Sequence, residues 1–163
     1  MYKDGSDKDF AVGQVWGRRD ARFFLVDQIR KQMDFVDTLE AFIEIAKKYP
    51  RATRKLVEDK ANGPAVISML KKHVPGIIPV EPDGSKLARA YAVTPLFEAG
   101  NVYIPNPSWQ PWARDYKDEL LQFPSAAHDD QVDATTQALR QLSAKPKMRI
   151  NPAILGPGAY LRR

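Results

Sequence analysis

Acidic side chains gather at two places in this sequence where their spacing suits metal binding. Asp129, Asp130 and Asp133 open a segment with helical periodicity, and positions three and four apart share one side of a helix. Glu58 and Asp59 end a short run of residues typical of a β-strand. Sites of α/β proteins usually form where the carboxyl ends of parallel strands meet, so the two groups of acids can converge there.

Two further acids, Asp4 and Asp7, lie beside the first predicted strand. Carboxylates from separate segments provide the oxygen ligands that Mg²⁺ and Mn²⁺ prefer. Two such ions about 4 Å apart can act on both the attacking and the leaving oxygen of a phosphodiester. Phosphodiester hydrolysis needs only carboxylates, metal ions and water, and these acids therefore suit a two-metal hydrolase.

Each group of acids also has a purely structural interpretation. Acids in the first turn of a helix commonly cap N–H groups and complement the helix dipole, which suits Asp129 and Asp130. This benefit fades by Asp133, where three close acids repel one another unless a cation is present. Glu58 and Asp59 would then form a solvated strand end. Spacing alone leaves capping and metal binding both open.

The composition excludes several other kinds of chemistry. The 163 residues include no cysteine, which rules out disulfide scaffolds, thiol nucleophiles and cysteine-ligated zinc. The two histidines, His73 and His128, are too few for a three-histidine zinc site and are expected to be surface or capping residues. No GxxxxGK(S/T) phosphate loop is present, and no stretch approaches the roughly 20 apolar residues of a membrane span. We expect a soluble, intracellular protein with no membrane partner.

The net charge of +5 comes from one end of the chain. Residues 145–163 carry five basic side chains and no acid, which leaves 20 basic against 20 acidic residues in the rest. Residues 1–144 are therefore predicted to form one folded domain that is neutral overall. Residues 145–163 contain three prolines and two glycines and are predicted to form a basic, extended tail.

The hydrophobic pattern predicts ten secondary-structure elements. Their order is strand, strand, helix, strand, helix, strand, helix, strand, helix, helix. Strands are predicted over 10–16, 21–30, 55–59, 76–80 and 102–104, with a turn at 17–20, and helices over 34–49, 62–74, 85–99, 112–122 and 129–144. A hairpin followed by alternating elements predicts an α/β fold, with a mixed sheet that is parallel after the hairpin and has helices on both faces.

Four segments of the chain form a recognisable series that spans about residues 4–142. They are SDKDFAVGQVWG, VEDKANGPAVISMLK, SKLARAYAVTPLFEAGNVYIP and DELLQFPSAAHDDQVDATTQAL. The series resembles the nuclease domain of the large terminase subunit of tailed bacteriophages and prophages. The resemblance implies a ribonuclease H-like fold and metal-dependent endonuclease cleavage of concatemeric double-stranded DNA, with Mg²⁺ or Mn²⁺ in a two-ion site. It also implies the portal protein and the small terminase subunit as partners, and the cytoplasm of the bacterial host as location.

The resemblance also assigns site residues by their position in these segments. Glu58, five residues before Gly63, and Asp130 of the HDD box are the implied catalytic acids. The implied metal ligands are Glu58, Asp59, Asp129, Asp130, Asp133 and, as an auxiliary, Asp7. Lys86 and Arg89 follow a strand near the expected active edge, and we expect them, together with Lys60, to contact DNA phosphates. The structural alternative for Lys86 and Arg89 is that they are solvated helix residues.

One part of the family pattern is not found. In the family, the first catalytic aspartate lies on a strand that precedes the KDGSD-like stretch, whereas this sequence begins with Met1-Tyr2-Lys3-Asp4. We therefore expect that strand, its aspartate and the preceding ATPase domain to be missing. Two alternatives follow from this expectation and from the shared chemistry of related enzymes. The chain is either a catalytically incomplete fragment that acts as a DNA- or portal-interaction module, with residues 145–163 docking to the portal, or another ribonuclease H-like nuclease such as a resolvase.

Overall fold

The computed structural model describes residues 10–59 and 63–144. The strands are β1 (Phe10–Arg19), β2 (Arg22–Gln32), β3 (Lys55–Glu58), β4 (Ile77–Val80) and β5 (Val102–Tyr103), and the helices are α1 (Phe35–Lys48), α2 (Gly63–His73), α3 (Lys86–Glu98), α4 (Trp112–Gln122) and α5 (Asp130–Ser143). All ten predicted elements are confirmed in type and order. Asp4, Asp7, Lys60 and residues 145–163 lie outside the described residues. Within the described ranges, every helix is too short or too polar to cross a membrane.

The strands of the described residues form two sheets, where the sequence predicted one. β1 pairs antiparallel with β2, and β2 pairs in parallel with β5. β3 and β4 form a separate parallel pair in which Glu58 lies opposite Val80. The mixed α/β architecture and the parallel pairing after the hairpin are confirmed. In the part of the chain that the structure describes, no strand pairing joins β1 to β3, so the predicted single sheet is two sheets.

The hairpin between β1 and β2 is tighter than predicted. The pattern placed the turn at residues 17–20, but Gly17 and Arg18 continue the ladder opposite Phe24 and Phe23. The chain reverses at Asp20, whose φ of 57° lies in the left-handed region. Aspartate tolerates this region better than most residues, which lets the turn form without glycine. The predicted start of the turn was therefore wrong by three residues, and β1 extends to Arg19.

Helix α5 connects the core to the acidic residues. Its buried side includes Leu139, which packs with Phe23 of β2 and Val93 of α3 in a core cluster that Trp16 partly covers. α5 also contacts β1, α3 and α4. These contacts fix the first turn of α5 beside the start of α3 and the face of β1. The acids at the start of α5 are therefore held in the same position.

Candidate active site

The acids of the HDD box lie at the start of α5, on the side away from the core. Gln131 and Val132 point inward and are buried, whereas Asp129, Asp130 and Asp133 remain partly exposed. This division follows from the helical period, because positions 129, 130 and 133 fall on one side of the first turns. Asp129 and Asp133 lie on one side, since both pair with Lys86. That Asp130 shares this side stays a prediction.

Two basic side chains of α3 pair with these acids. Lys86 Nζ lies 2.6 Å from Asp129 Oδ1 and 3.1 Å from Asp133 Oδ2. Arg89 Nη2 lies 2.6 Å from Asp133 Oδ1. Ser85 caps α3 by accepting a hydrogen bond from the backbone N–H of residue 88, so Lys86 and Arg89 lie in the first turns of α3 and face α5 together. Two of the three cations that the sequence predicted as DNA contacts, Lys86 and Arg89, are thus engaged with acids of the predicted site.

The electrostatic environment of the three acids is uneven. In the described part of the chain, the carboxylate of Asp130 forms no ion pair or hydrogen bond, unlike those of Asp129 and Asp133. Burial and the negative charges of Asp129 and Glu119 raise the pKa of Asp130, and Lys86 opposes this shift only in part. Burial lowers the pKa of Lys86, but its hydrogen bonds to Asp129 and Asp133 outweigh that effect and raise it. Asp130 is therefore a carboxylate whose ionised form would gain from a further cation.

The capping interpretation of these acids is not what the structure shows. Asp129 occupies the N-cap position of α5, but its side chain makes no capping hydrogen bond. The cap comes from Glu119 of α4, whose Oε1 accepts hydrogen bonds from the backbone N–H groups of Gln131 at 2.8 Å and Val132 at 3.1 Å. Glu119 was missed by the sequence analysis. A signal for it exists, because it continues the buried positions Ala113 and Tyr116 of α4 at helical spacing and so places an acid on an apolar side.

The second group of acids lies at the carboxyl end of β3, as predicted. The backbone N–H of Asp59 donates to the carbonyl of Val80 at 2.9 Å, which extends the β3–β4 ladder past Glu58. Gly63, the first residue of α2, returns close to this strand end. A Cβ on Gly63 would lie only 2.1 Å from the carbonyl oxygen of Glu58, so a glycine is required for this close approach.

Glu58 and Asp133 border one cleft of about 250 Å³. Arg89 and Arg140 also line it, as does Asp83. The structure therefore brings together two acids that the sequence assigned to one site. Asp130, which the sequence favoured as the principal acid, is not among the residues that line this cleft and lies beside Asp133 on the same turn of α5.

A larger cleft of about 460 Å³ lies between α3, α4 and α5. Apolar side chains such as Leu87, Tyr91, Phe97 and Leu121 dominate its lining, which contains no acid. A site that handles a metal ion or a phosphodiester needs oxygen ligands and charge, so the smaller, acidic cleft is the candidate site.

Carboxylates are the right kind of donor for a hard divalent cation, and four of them border the cleft: Glu58, Glu81, Asp83 and Asp133. Among residues 10–59 and 63–144, however, no three carboxylate or histidine side chains come close enough to hold one ion. The described acids therefore fit Mg²⁺ or Mn²⁺ in chemical kind and supply part of a ligand set. Asp7, the predicted auxiliary ligand, and Lys60, a predicted DNA contact, lie outside the described residues.

The two histidines are placed differently. His128 directly precedes the acids, and its ring meets the ring of Phe10 edge-on at 5.0 Å. His73 is the exposed last residue of α2. The prediction that both are surface or capping residues agrees with their exposure.

Comparison with known protein families gives one match for most of the chain. Residues 3–142 match the family model described as the terminase RNaseH-like domain. The matched range covers every strand and helix described above except the end of α5. A search among curated proteins finds no match. The chain belongs to the terminase RNaseH-like domain family.

Proposed function

We propose that this protein is the metal-dependent endodeoxyribonuclease domain of a viral DNA-packaging terminase. Family membership supports a nuclease-type terminase module whose general substrate is DNA. The observation that carries the finer proposal is that Glu58, at the end of β3, and Asp133, in the first turns of α5, border one cleft. Acids that converge from separate elements can hold the metal ions that two-metal phosphodiester hydrolysis uses.

Glu58, Asp59, Asp129, Asp130 and Asp133 are the proposed ligands, with Glu58 and Asp130 as the principal acids. Bound Mg²⁺ or Mn²⁺, as a pair of ions, would supply Lewis-acid chemistry to a phosphodiester of concatemeric double-stranded DNA. The chain itself contributes fixed carboxylates. Asp130 supports this role because burial, and after it the negative charges of Asp129 and Glu119, raise its pKa, and an added cation would favour the ionised carboxylate.

The two cations of α3 have different proposed roles. The side chain of Lys86 is 47% exposed, so it can exchange Asp129 for a DNA phosphate. The side chain of Arg89 is only 10% exposed and is committed to Asp133, so its main role is to hold that acid at the cleft. The prediction that Lys60 contacts DNA stays a prediction.

The family favours a terminase over a resolvase for this chain. Double-stranded DNA is the proposed substrate, and the portal protein and the small terminase subunit are the proposed partners, in the cytoplasm of the bacterial host. The alternative of a catalytically incomplete DNA- or portal-interaction module depends on residues 145–163, which the structure does not describe. This alternative stays a prediction, and Mn²⁺ binding without DNA cleavage would distinguish it from the main proposal.

The test is a supercoiled-plasmid nicking assay with Mn²⁺ and with Mg²⁺, with EDTA as a control. Asp130→Asn should lower cleavage at least ~100-fold, since even residues that only support a metal ligand typically contribute 10- to 100-fold. Asp115→Asn is the matched control, because Asp115 is also an acid in the first turn of a helix, α4. It should cleave like the wild type.

Three outcomes would change this view. Cleavage that survives EDTA, or that Asp130→Asn leaves intact, contradicts a metal nuclease with Asp130 in its site. Mn²⁺ binding without cleavage would instead support the catalytically incomplete interaction module. If the wild type neither binds Mn²⁺ nor cleaves, the proposed function is wrong.

A further inference from the structure

The start of α5 is capped from another helix. A helix begins with backbone N–H groups that lack partners within the helix, and a side chain at the N-cap position usually accepts hydrogen bonds from them. Asp129 holds that position but makes no such bond. Glu119 of α4 accepts the N–H groups of Gln131 and Val132 instead. The turn that carries the acids is thereby tied to α4, and the carboxylate of Asp129 is left to pair with Lys86.

The carboxylate of Glu119 is itself tightly held. Glu119 is 7% exposed, and its Oε2 accepts a hydrogen bond from Gln131 Nε2 at 2.5 Å. Arg30 Nη2 lies 3.8 Å from the same oxygen, and the guanidinium of Arg30 lies 3.9 Å from the centre of the Phe10 ring. Both carboxylate oxygens therefore have partners on defined sides, which fixes the direction in which Glu119 presents its cap.

A directional chain of hydrogen bonds ends on this carboxylate. Trp16 Nε1 donates to Gln14 Oε1 at 2.9 Å, Gln14 Nε2 donates to Gln28 Oε1 at 2.8 Å, and Gln28 Nε2 donates to Gln131 Oε1 at 2.7 Å. An indole can only donate and an ionised carboxylate can only accept, so the two ends of the chain fix the orientation of all three amides. Through these hydrogen bonds, Glu119 fixes the orientation of the Gln131 amide, which bonds to Gln28 of β2 and through it to Gln14 of β1.

We infer that Glu119 is a positioning residue for the candidate site, which holds the acid-bearing first turn of α5 in its place beside the cleft of Glu58 and Asp133. The geometry carries this inference: Glu119 binds the backbone directly after Asp130, and it does so from a helix that contributes nothing to the lining of that cleft. The role of the acids as metal ligands rests on the proposed function. That Glu119 holds the first turn of α5 does not depend on it.

The test compares Glu119→Gln with Tyr116→Phe in the full chain. The amide of Glu119→Gln has nearly the shape of the carboxylate, but it removes the negative charge that strengthens the hydrogen bonds from the two backbone N–H groups. It also offers a donor where Gln131 Nε2 or those N–H groups need an acceptor. Tyr116→Phe removes another buried contact between α4 and α5, the 3.0 Å hydrogen bond between Tyr116 Oη and Thr135 Oγ1, and leaves the cap intact. Urea unfolding of both variants shows how far each change lowers global stability.

Two measurements distinguish positioning from a merely structural role. Backbone amide exchange at Gln131 and Val132, followed by NMR, should accelerate in Glu119→Gln and stay slow in Tyr116→Phe. Mn²⁺ binding, followed by the electron paramagnetic resonance signal of free Mn²⁺, should weaken about 10- to 100-fold in Glu119→Gln, the usual effect of losing a residue that supports metal ligands. It should be unchanged in Tyr116→Phe.

Equal Mn²⁺ affinity in the wild type and Glu119→Gln would overturn the inference, as would unchanged amide exchange at both positions. If the wild type binds no Mn²⁺, the proposed function fails and the exchange rates alone decide whether Glu119 holds the turn. Should Glu119→Gln fail to fold, Glu119→Asp replaces it. That variant keeps the charge but shortens the reach, so the same two measurements should shift in the same directions.

Discussion

Arg89 Nη2 lies 2.6 Å from Asp133 Oδ1, so a side chain of α3 holds the acid of α5 that borders the candidate cleft. The two side chains are only 10% and 20% exposed, which shields the pair from solvent. The neighbouring pair of Lys86 and Asp129 is much more open, at 47% and 36%. Arg89 thus joins the two helices through a shielded ion pair, whereas the more exposed Lys86 joins them through Asp129 and, at 3.1 Å, Asp133. The two basic side chains should therefore differ in their contribution to stability.

Replacing Arg89 with glutamine should destabilise the protein clearly. The change leaves Asp133 without the guanidinium in a partly buried place, and a lost hydrogen bond to a charged group costs about 1.5–3 kcal/mol. Lys86→Gln is the matched control, because exposed ion pairs contribute only about 0–1 kcal/mol. Urea unfolding in EDTA measures both free energies. Equal losses for the two variants would mean that shielding does not distinguish the pairs.

Asp130 should make the metal-free protein less stable at neutral pH. Because its folded pKa is raised above the ordinary value of 3.8, the folded state binds more protons than the unfolded state between those two pKa values. Stability therefore falls as the pH rises through that window, and Asp130→Asn removes the fall. In EDTA we expect Asp130→Asn to unfold at a higher urea concentration than the wild type at pH 7.

The same urea series at lower pH provides the control for this prediction. The advantage of Asp130→Asn should shrink as the pH falls towards 3.8 and below, where the wild-type carboxyl is neutral in both states. A variant that is less stable than the wild type at pH 7 would contradict the prediction. It would show that attraction of the Asp130 carboxylate to the start of α5 outweighs burial and the repulsion by Asp129 and Glu119.

The sequence was sufficient to predict the element order and the placement of the two acid groups. Hydrophobic periodicity is a local signal, and so are the residues that cap helices: in the structure Asp34 caps α1 and Ser85 caps α3. Glu58 was expected at the carboxyl end of a strand and Asp133 in the first turns of a helix, and both lie there. Their shared cleft depends on where α5 lies relative to the separate β3–β4 pair, which the sequence pattern does not determine.

The partners of charged groups could not be predicted in the same way. Arg89 and Asp133 are 44 residues apart, and no local pattern indicates that α3 packs with its basic first turns against the acids of α5. The cap of α5 could not be predicted for the same reason. Glu119 lies on α4 and reaches Gln131 of α5 only because the chain turns between the two helices. Both contacts depend on how helices pack, and side-chain periodicity determines which side of a helix is buried but not which charges meet there.

Gly63 should be required for the position of Glu58. A Cβ at residue 63 would lie 2.1 Å from the carbonyl oxygen of Glu58, a contact with backbone that can be relieved only if the end of β3 or the start of α2 moves. Overpacking of this kind typically costs about 1–3 kcal/mol. Gly63→Ala should therefore lower the free energy of unfolding by about that amount. It should also reduce metal-dependent plasmid nicking at a temperature where the variant remains folded.

Gly13→Ala is the control for this change, because a Cβ on Gly13 in β1 meets no atom of the described residues within 4 Å. The control makes the same chemical substitution in another element and should keep both stability and nicking close to the wild type. If Gly63→Ala is destabilised but nicks the plasmid at the wild-type rate while folded, the moved backbone does not carry Glu58 with it. That result would place the movement in α2, and it would argue against Glu58 as an acid whose exact placement matters for cleavage.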